Sequence, residues 1–274
     1  MSLRKQDDAP LADEALARHR EELKKRFPLP QPKPKRRSTT LGALLVLGVA
    51  AGSLAWLDPA YRSEHYSSAI GQRQVLDLAD GSHVTLDGSS RIPVSWHLRS
   101  RRVELRAGQA LFSVSPALYR PFRVSADATE VEVLGTRFNV DRQRDDVRVT
   151  VAEGKVVVRG NGASANLLPG DQIRGHAGQL GQPTRVDAEK VAAWKDGRLV
   201  FERTPLREVL ATLQRYRDAP IHLDDPRLAE LPVSGVFDSA RPDSLLALLP
   251  QILPVKVSRE NDGAVHLLGR DAEK

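Results

Sequence analysis

The sequence predicts an all-β domain followed by a small α+β domain, with one transmembrane helix ahead of both. Three observations carry that expectation. Only 5% of the 274 residues are aromatic while glycine and proline number 19 and 18, a composition suited to short strands and tight turns rather than a helical bundle. From about Gln72 to Arg174, short apolar alternations are punctuated by turn dipeptides such as Asp80-Gly81, Asp87-Gly88, Glu153-Gly154, Asn161-Gly162 and Pro169-Gly170. Beyond residue 190 two helical stripes alternate with short strands.

At the N-terminus Ala12, Leu16, His19, Leu23 and Phe27 recur every three or four residues, so residues 11–27 read as a short amphipathic helix that needs a partner or a membrane surface. The Pro-rich stretch from Pro28 to Lys35 follows as a stiff spacer. Leu41 to Leu57 then carries no charge in 17 residues, and Ser38, Thr39 and Thr40 extend the run to about 30 Å of helix. Lys33 to Arg37 (KPKRR) precede it and Asp58 and Glu64 follow, which places the N-terminus in the cytoplasm. The same run also fits a cleaved signal peptide with Ser53 and Ala55 at the cut, although its leader of 37 residues is long for one. Gly48 and Gly52 read either as a dimer face or as ordinary helix glycines, and with Gly42 they weaken the helix.

The expected organisation is a short basic cytoplasmic segment at 1–37, a transmembrane helix at 38–57, a linker at 58–71, a β domain at 72–180 and an α+β domain at 190–269. The net charge is +6, but residues 1–37 hold eleven Lys and Arg against six Asp and Glu. A nucleic-acid groove on the folded domains is therefore not implied.

Within the β domain, Leu76 and Leu78 alternate before Asp80-Gly81 and Val84 and Leu86 after it, giving a hairpin with one apolar face. Val147, Val149 and Val151 alternate up to the Glu153-Gly154 turn. About ten such strands would build a sandwich or a coiled β-layer. In the α+β domain, Leu199 to Phe201 is a strand, Thr204 an N-cap with Pro205 at the first helical position, and Leu206, Val209, Leu210 and Leu213 one helical face. Strands at Ile221 to Leu223 and Val233 to Phe237 follow. A second helix on Leu245, Leu248, Leu249 and Ile252, and a hairpin from Val255 to Leu268 around Asp262-Gly263, complete the order βαββαββ. Its two helices are expected on one face of a small sheet.

Most site chemistry is excluded. The chain has no cysteine, so disulfides and thiolate sites are absent, and its seven histidines show no ligand spacing. Gly160 to Ala165 formally matches a dinucleotide fingerprint, but Pro169-Gly170 would stop the helix that motif must open, so it reads as a hairpin loop. No serine sits in a nucleophile elbow, and the basic run Arg99 to Arg106 reads as a solvated strand face. No catalytic residue, metal ligand or cofactor is expected.

Several stretches carry a resemblance: Leu78 to Ser90 (LADGSHVTLDGSS), Arg101 to Val114 (RRVELRAGQALFSV), Arg120 to Val124 (RPFRV), Val131 to Val140 (VEVLGTRFNV), Val149 to Val158 (VTVAEGKVVV) and Trp194 to Tyr216. In this order they resemble the FecR family, transmembrane regulators of extracytoplasmic-function sigma factors in cell-surface signalling. The C-terminal part is similar to the small domain shared by secretins and the N-terminal signalling region of TonB-dependent receptors. The resemblance covers about residues 70–268.

It implies a non-enzymatic single-pass protein of a Gram-negative inner membrane, with its N-terminus cytoplasmic and its C-terminal region periplasmic. The implied role is anti-sigma or sigma-activating control of an extracytoplasmic-function sigma factor, on a signal from a TonB-dependent outer-membrane receptor in iron or siderophore uptake, with envelope proteases completing regulated proteolysis. Leu16, Leu23 and Phe27 would be the sigma-factor interface. The receptor-docking module would carry Leu199, Phe201, Leu206, Leu210, Val236 and Phe237, offering sheet edges and a helix groove. Some family members are cut at the bond matching Gly135-Thr136, where the threonine hydroxyl attacks the preceding carbonyl; here that bond reads as such a site or as a turn entering a strand. Family members usually carry a longer helical anti-sigma domain before the membrane. The alternative is therefore a periplasmic receptor-docking adaptor without its own sigma-factor-binding domain.

Overall fold

The computed structural model describes residues 9–28 and 39–270. The chain divides into two compact units, Met1–Gly52 and Ser53–Lys274. In the first, α1 (Ala9–Arg26) ends on Lys24, Lys25 and Arg26, cations placed where the helix C-terminus favours them. Leu16 and Leu23 on it, and Phe27 just after it, are all exposed. Residues 29–38, with most of the spacer and the basic cluster Lys33 to Arg37, lie outside the described residues. The uncharged helix α2 (Thr39–Leu57) follows. Among the described residues no helix is long and apolar enough to cross a membrane, the side chains of 39–41 and 54–55 lying outside them.

The second unit opens on a β-sandwich. One sheet has seven strands in the spatial order β1 (Ala60–Ser67), β4 (Arg91–His97), β5 (Arg101–Glu104), β7 (Phe122–Ala126), β8 (Thr129–Val133), β11 (Val156–Gly160), β12 (Ala163–Leu167). The facing sheet runs β14 (Gln179–Leu180), β13 (Asp171–His176), β10 (Asp146–Glu153), β9 (Arg137–Gln143), β6 (Gly108–Ser113), β3 (His83–Leu86), β2 (Gln74–Asp77), with β15 (Thr184–Arg185) also paired to β13. Neighbouring strands are antiparallel apart from the parallel pair β5 and β7.

Alternation along each strand turns one side chain in two inward, and the two inner faces share a single apolar core. Phe112 stacks on Phe138 with centroids 5.1 Å apart and meets Phe122 edge-on at 6.0 Å. The β2–β3 hairpin pairs Leu76 with Val84, as the alternation around Asp80-Gly81 requires. Asn161-Gly162 closes a two-residue hairpin between β11 and β12. The Glu153-Gly154 turn instead carries the chain from one sheet to the other, since β10 and β11 pair in different layers.

Two expectations for this region are corrected. Residues 58–71 are not simply a linker, because β1 begins at Ala60 and pairs along β4, with Trp96 Nε1 donating to Glu64 Oε2 at 3.1 Å. The basic run Arg99 to Arg106 is not a uniformly solvated face. Arg101 falls on the buried side of β5, only 2% exposed, where its Nη1 meets Asp80 Oδ2 at 2.6 Å and Ser115 O at 3.0 Å. Its guanidinium lies 5.3 Å from the Phe122 ring centroid.

After α3 (Ala188–Val191) comes the module of β16 (Arg198–Pro205), α4 (Leu206–Leu213), β17 (Ile221–Leu223), β18 (Pro232–Asp238), α5 (Pro242–Ile252), β19 (Val255–Arg259) and β20 (Val265–Gly269). The element order is the expected one, but the strands form two sheets, β16-β18 and β17-β20-β19, instead of one. Thr204 does not cap α4. It and Pro205 still pair with β18, and the first amides of the helix are satisfied by backbone, Leu206 N to Leu231 O and Arg207 N to Ala229 O. On α5 the buried face is Leu245, Leu246 and Leu249, while Ile252 is exposed.

Removing one partner of a buried ion pair leaves an uncompensated charge. Arg101→Ala should therefore lower stability by about 3–5 kcal/mol in urea unfolding. Arg102→Ala, on the exposed side of the same strand, should change it by less than about 1 kcal/mol.

Candidate functional site

The outer face of the second sheet is polar yet buried. β9 alternates Phe138 and Val140 toward the sandwich core with Asn139 and Asp141 on the other face, and β6 likewise presents Gln109 outward. The α+β module covers this face. Leu111 of β6 joins the module's apolar core beside Trp194, Leu210, Leu213 and Tyr216.

Arg215, in the turn that follows α4, is the centre of the junction. Its Nη1 donates to Gln109 Oε1 at 2.7 Å and lies 3.7 Å from Asp87 Oδ2, while Nη2 pairs with Asp141 Oδ1. The Tyr216 hydroxyl donates to Asp87 Oδ1 at 2.5 Å. Arg148 bridges Asp141 at 3.2 Å and Glu208 at 2.9 Å, and Arg174 donates to Glu208 at 2.8 Å. Three carboxylates are thus interleaved with three guanidinium groups, the condition under which charges survive burial. Asn139 Oδ1 accepts from both Gln109 Nε2 and Trp194 Nε1, at 3.2 and 3.1 Å. At the edge, Arg73 Nη1 donates to the carbonyls of Trp194 and Lys195. Gly88 admits the module's backbone, since a Cβ there would stand 2.7 Å from Arg215 O. That carbonyl accepts from Gly71 N and Ser89 Oγ.

The two central carboxylates respond oppositely to their surroundings. Burial pushes the Asp87 carboxyl above its ordinary range, and Arg215 and Tyr216 offset this only in part. Burial also opposes ionisation of Asp141, but the Arg215 and Arg148 charges outweigh it and hold that carboxyl below the usual range. Tyr216 is raised by burial and by Asp87.

Joining sandwich and module through paired charges, this network acts as a latch. Beside it lies a polar cleft of about 420 Å³ lined by Arg148, Arg174, Lys190, Trp194 and Glu202 among others. Among the described residues no group of three or more His, Asp or Glu converges as metal ligands would.

Of the residues singled out from sequence for docking, Leu199, Phe201, Leu206 and Leu210 are buried in the core of the module, Leu199 and Phe201 also bordering the cleft. Val236 is 62% exposed and Phe237 half-buried, its ring 6.0 Å from that of Phe201. The accessible elements are instead the open edges of the two-stranded sheet β16-β18. Gly135 and Thr136 join β8 to β9. Thr136 is buried, its hydroxyl donating to Lys155 O at 3.1 Å. A Cβ on Gly135 would stand 2.8 Å from Pro116 Cα, so close packing, not a left-handed backbone, calls for glycine there.

The latch residues escaped the sequence reading because a polar residue on an alternating strand looks solvated. One signal was available: Tyr216 continues the stripe Leu206, Val209 and Leu213 by a further three residues.

A sandwich with an α+β module latched to one outer face defines a two-part, mostly β protein held together by buried charges. Family models match both halves: FecR protein over residues 64–157 and FecR, C-terminal over residues 198–266. The chain belongs to the FecR family. Two solved structures of a protein from Parabacteroides distasonis, described as a candidate anti-sigma factor, are similar to it. Each is 28% identical with a TM-score of 0.69, covering 76% and 75% of this chain and 99% of the other. No curated protein matches the chain.

Asp141→Asn should destabilise the folded unit by about 3–5 kcal/mol, because Arg215 is left buried beside a neutral group. Asp87→Asn should cost at least about 2 kcal/mol less, since burial already disfavours the Asp87 charge. The pH signs differ too. A raised folded pKa means that stability is lost as pH rises through it, whereas the Asp141 contribution is lost as pH falls through its lowered pKa. Urea unfolding between about pH 4 and pH 8 should show the first slope in the parent and not in Asp87→Asn; superimposable profiles would refute the assignment.

Proposed function

We propose that the chain is a transmembrane regulator of an extracytoplasmic-function sigma factor, anchored in the inner membrane by α2 with its second unit in the periplasm. The carrying observation is the FecR match over sandwich and module together. The similar structures described as candidate anti-sigma factors support it. Further support comes from the uncharged helix α2 and from the exposed apolar residues Leu16 and Leu23 on α1 and Phe27 just past its end, on a helix that closes with basic residues. On the periplasmic side, the edges of β16 and β18 suit strand addition by the signalling domain of a TonB-dependent receptor, a recognition mode that needs no catalytic group. Siderophore or iron uptake is the process such a receptor would serve. The function is regulatory and not enzymatic, and envelope proteases would release the cytoplasmic part.

The deciding experiment is co-purification of residues 1–40 with the extracytoplasmic-function sigma factors of the same cell, each expressed in turn. Binding is expected, and the triple change Leu16→Ser, Leu23→Ser, Phe27→Ser should abolish it. Failure of the parent segment to bind would leave the chain as a receptor-docking adaptor, with sigma control on another polypeptide.

Self-cleavage at Gly135-Thr136 belongs to the same proposal. Attack of Thr136 Oγ1 on the Gly135 carbonyl would exchange the amide for an ester, the amide nitrogen taking up the hydroxyl proton as it becomes an amine. Purified protein should contain a hydroxylamine-sensitive nick at this bond that Thr136→Ala removes and Thr136→Ser retains. A chain that stays intact in all three forms would sink the idea.

A further inference from the structure

The exposed apolar residues of the sandwich are unevenly distributed. Leu98, Leu118, Leu134 and Leu168 are all solvent-exposed, as is Tyr119 at 93%. They lie on loops at one rim: between β4 and β5, β6 and β7, β8 and β9, and β12 and β13. The strand registers place these loops at the same end, where His97 opposes Ala60 and Phe122 opposes both Arg101 and Val133. At the opposite rim the turns Ala126 to Thr129, Asn161-Gly162 and Ala177-Gly178 are small or polar, and the loop between β1 and β2 exposes one large apolar side chain, Ile70.

The apolar rim is also where the chain arrives from α2. Asp58, the residue after Leu57, is buried there and clamps the chain to the β4–β5 turn. Its Oδ1 accepts from Arg99 N at 2.9 Å, its Oδ2 from Ser100 Oγ at 2.7 Å, and its carbonyl is 2.5 Å from His97 Nδ1. Arg120 ties the second loop in, donating to His97 O at 2.7 Å and Tyr61 OH at 3.0 Å. With Asp58 fixed, Leu98 and the loop bearing Leu118 and Tyr119 are held within a few residues of the helix end. Leucine and tyrosine flanked by guanidinium groups are the side chains that partition into a lipid headgroup region, aromatic and apolar parts toward the acyl boundary and cations on phosphate.

We propose that this rim lies on the periplasmic leaflet of the membrane that α2 crosses, with Leu98, Leu118 and Tyr119 entering the lipid interface and Arg102 and Arg120 meeting headgroup phosphates. The proposal rests on α2 being a membrane span. It makes the sandwich a surface-bound body with a fixed end toward the lipid, so that the far rim faces the periplasm.

The chain has no cysteine, so single cysteines can be introduced without background. Full-length Tyr119→Cys, Ala163→Cys at the far rim and Leu47→Cys within α2 are labelled with a small fluorophore. They are reconstituted in vesicles of phosphatidylethanolamine and phosphatidylglycerol, then quenched by aqueous iodide or by doxyl-labelled lipid. Iodide quenching at Tyr119 should fall roughly threefold or more below that at Ala163, with doxyl quenching at Tyr119 and Leu47 but not at Ala163. If Leu47 is lipid-buried and Tyr119 behaves like Ala163, the rim proposal is overturned while the span stands. Shielding of Tyr119 from iodide without doxyl quenching means that protein covers the rim, which also overturns it. Leu47 open to iodide removes both readings.

Discussion

One guanidinium makes a single body of the two halves of the second unit. Arg215 reaches the sandwich only because Leu206, Val209 and Leu213 seat α4 in the module core, which sets the direction of the turn at its end. Its partners are ready only because β6 and β9 hold register in the sandwich. A slip of one residue in β9 would turn Asp141 into the apolar core and Phe138 out toward the module. The ion pairs therefore report on both cores at once, and neither half can repack without leaving charge unpaired in a buried place.

That dependence limits how the module can move. A module latched through several buried charges is not a freely hinged domain, so an event at the edge of β18 reaches the sandwich as displacement of a whole body or as opening of the latch. Asp87 and Asp141 divide the labour. The first is strained by burial and only loosely satisfied by its cation, whereas the second holds Arg215 and Arg148 together. The Asp87 side is therefore where the junction is weaker.

Much of the architecture was legible in the sequence, for reasons local to the chain. Asp80-Gly81 between Leu76 and Val84, and Asn161-Gly162 between Val158 and Ala165, specify hairpins from turn chemistry and period alone. What escaped depends on distant partners. Arg101 reads as one basic residue among several until Asp80 is folded back beside it. Thr204 has the chemistry of a cap, but strand pairing to Val233 holds its backbone. Nothing local tells that β18 pairs with β16 and not with the adjacent β17. Asn139 and Asp141 look like solvent-facing strand residues because the module that covers them begins some fifty residues later. The names of family motifs were readable, since Asp87, Asn139, Trp194, Arg215 and Tyr216 all fall inside them, but not the reason those stretches travel together.

The attachment through β1 has a mechanical consequence. This strand lies at the edge of its sheet and pairs only with β4, from Ala60 opposite His97 to Ser67 opposite Arg91. A pull directed along β1 would load first the Asp58 clamp to the β4–β5 turn and then the β1–β4 hydrogen bonds together, in shear, instead of peeling them one after another. Tethers of that geometry hold until the whole strand slides, and their lifetime under force is set by the rate of that single event.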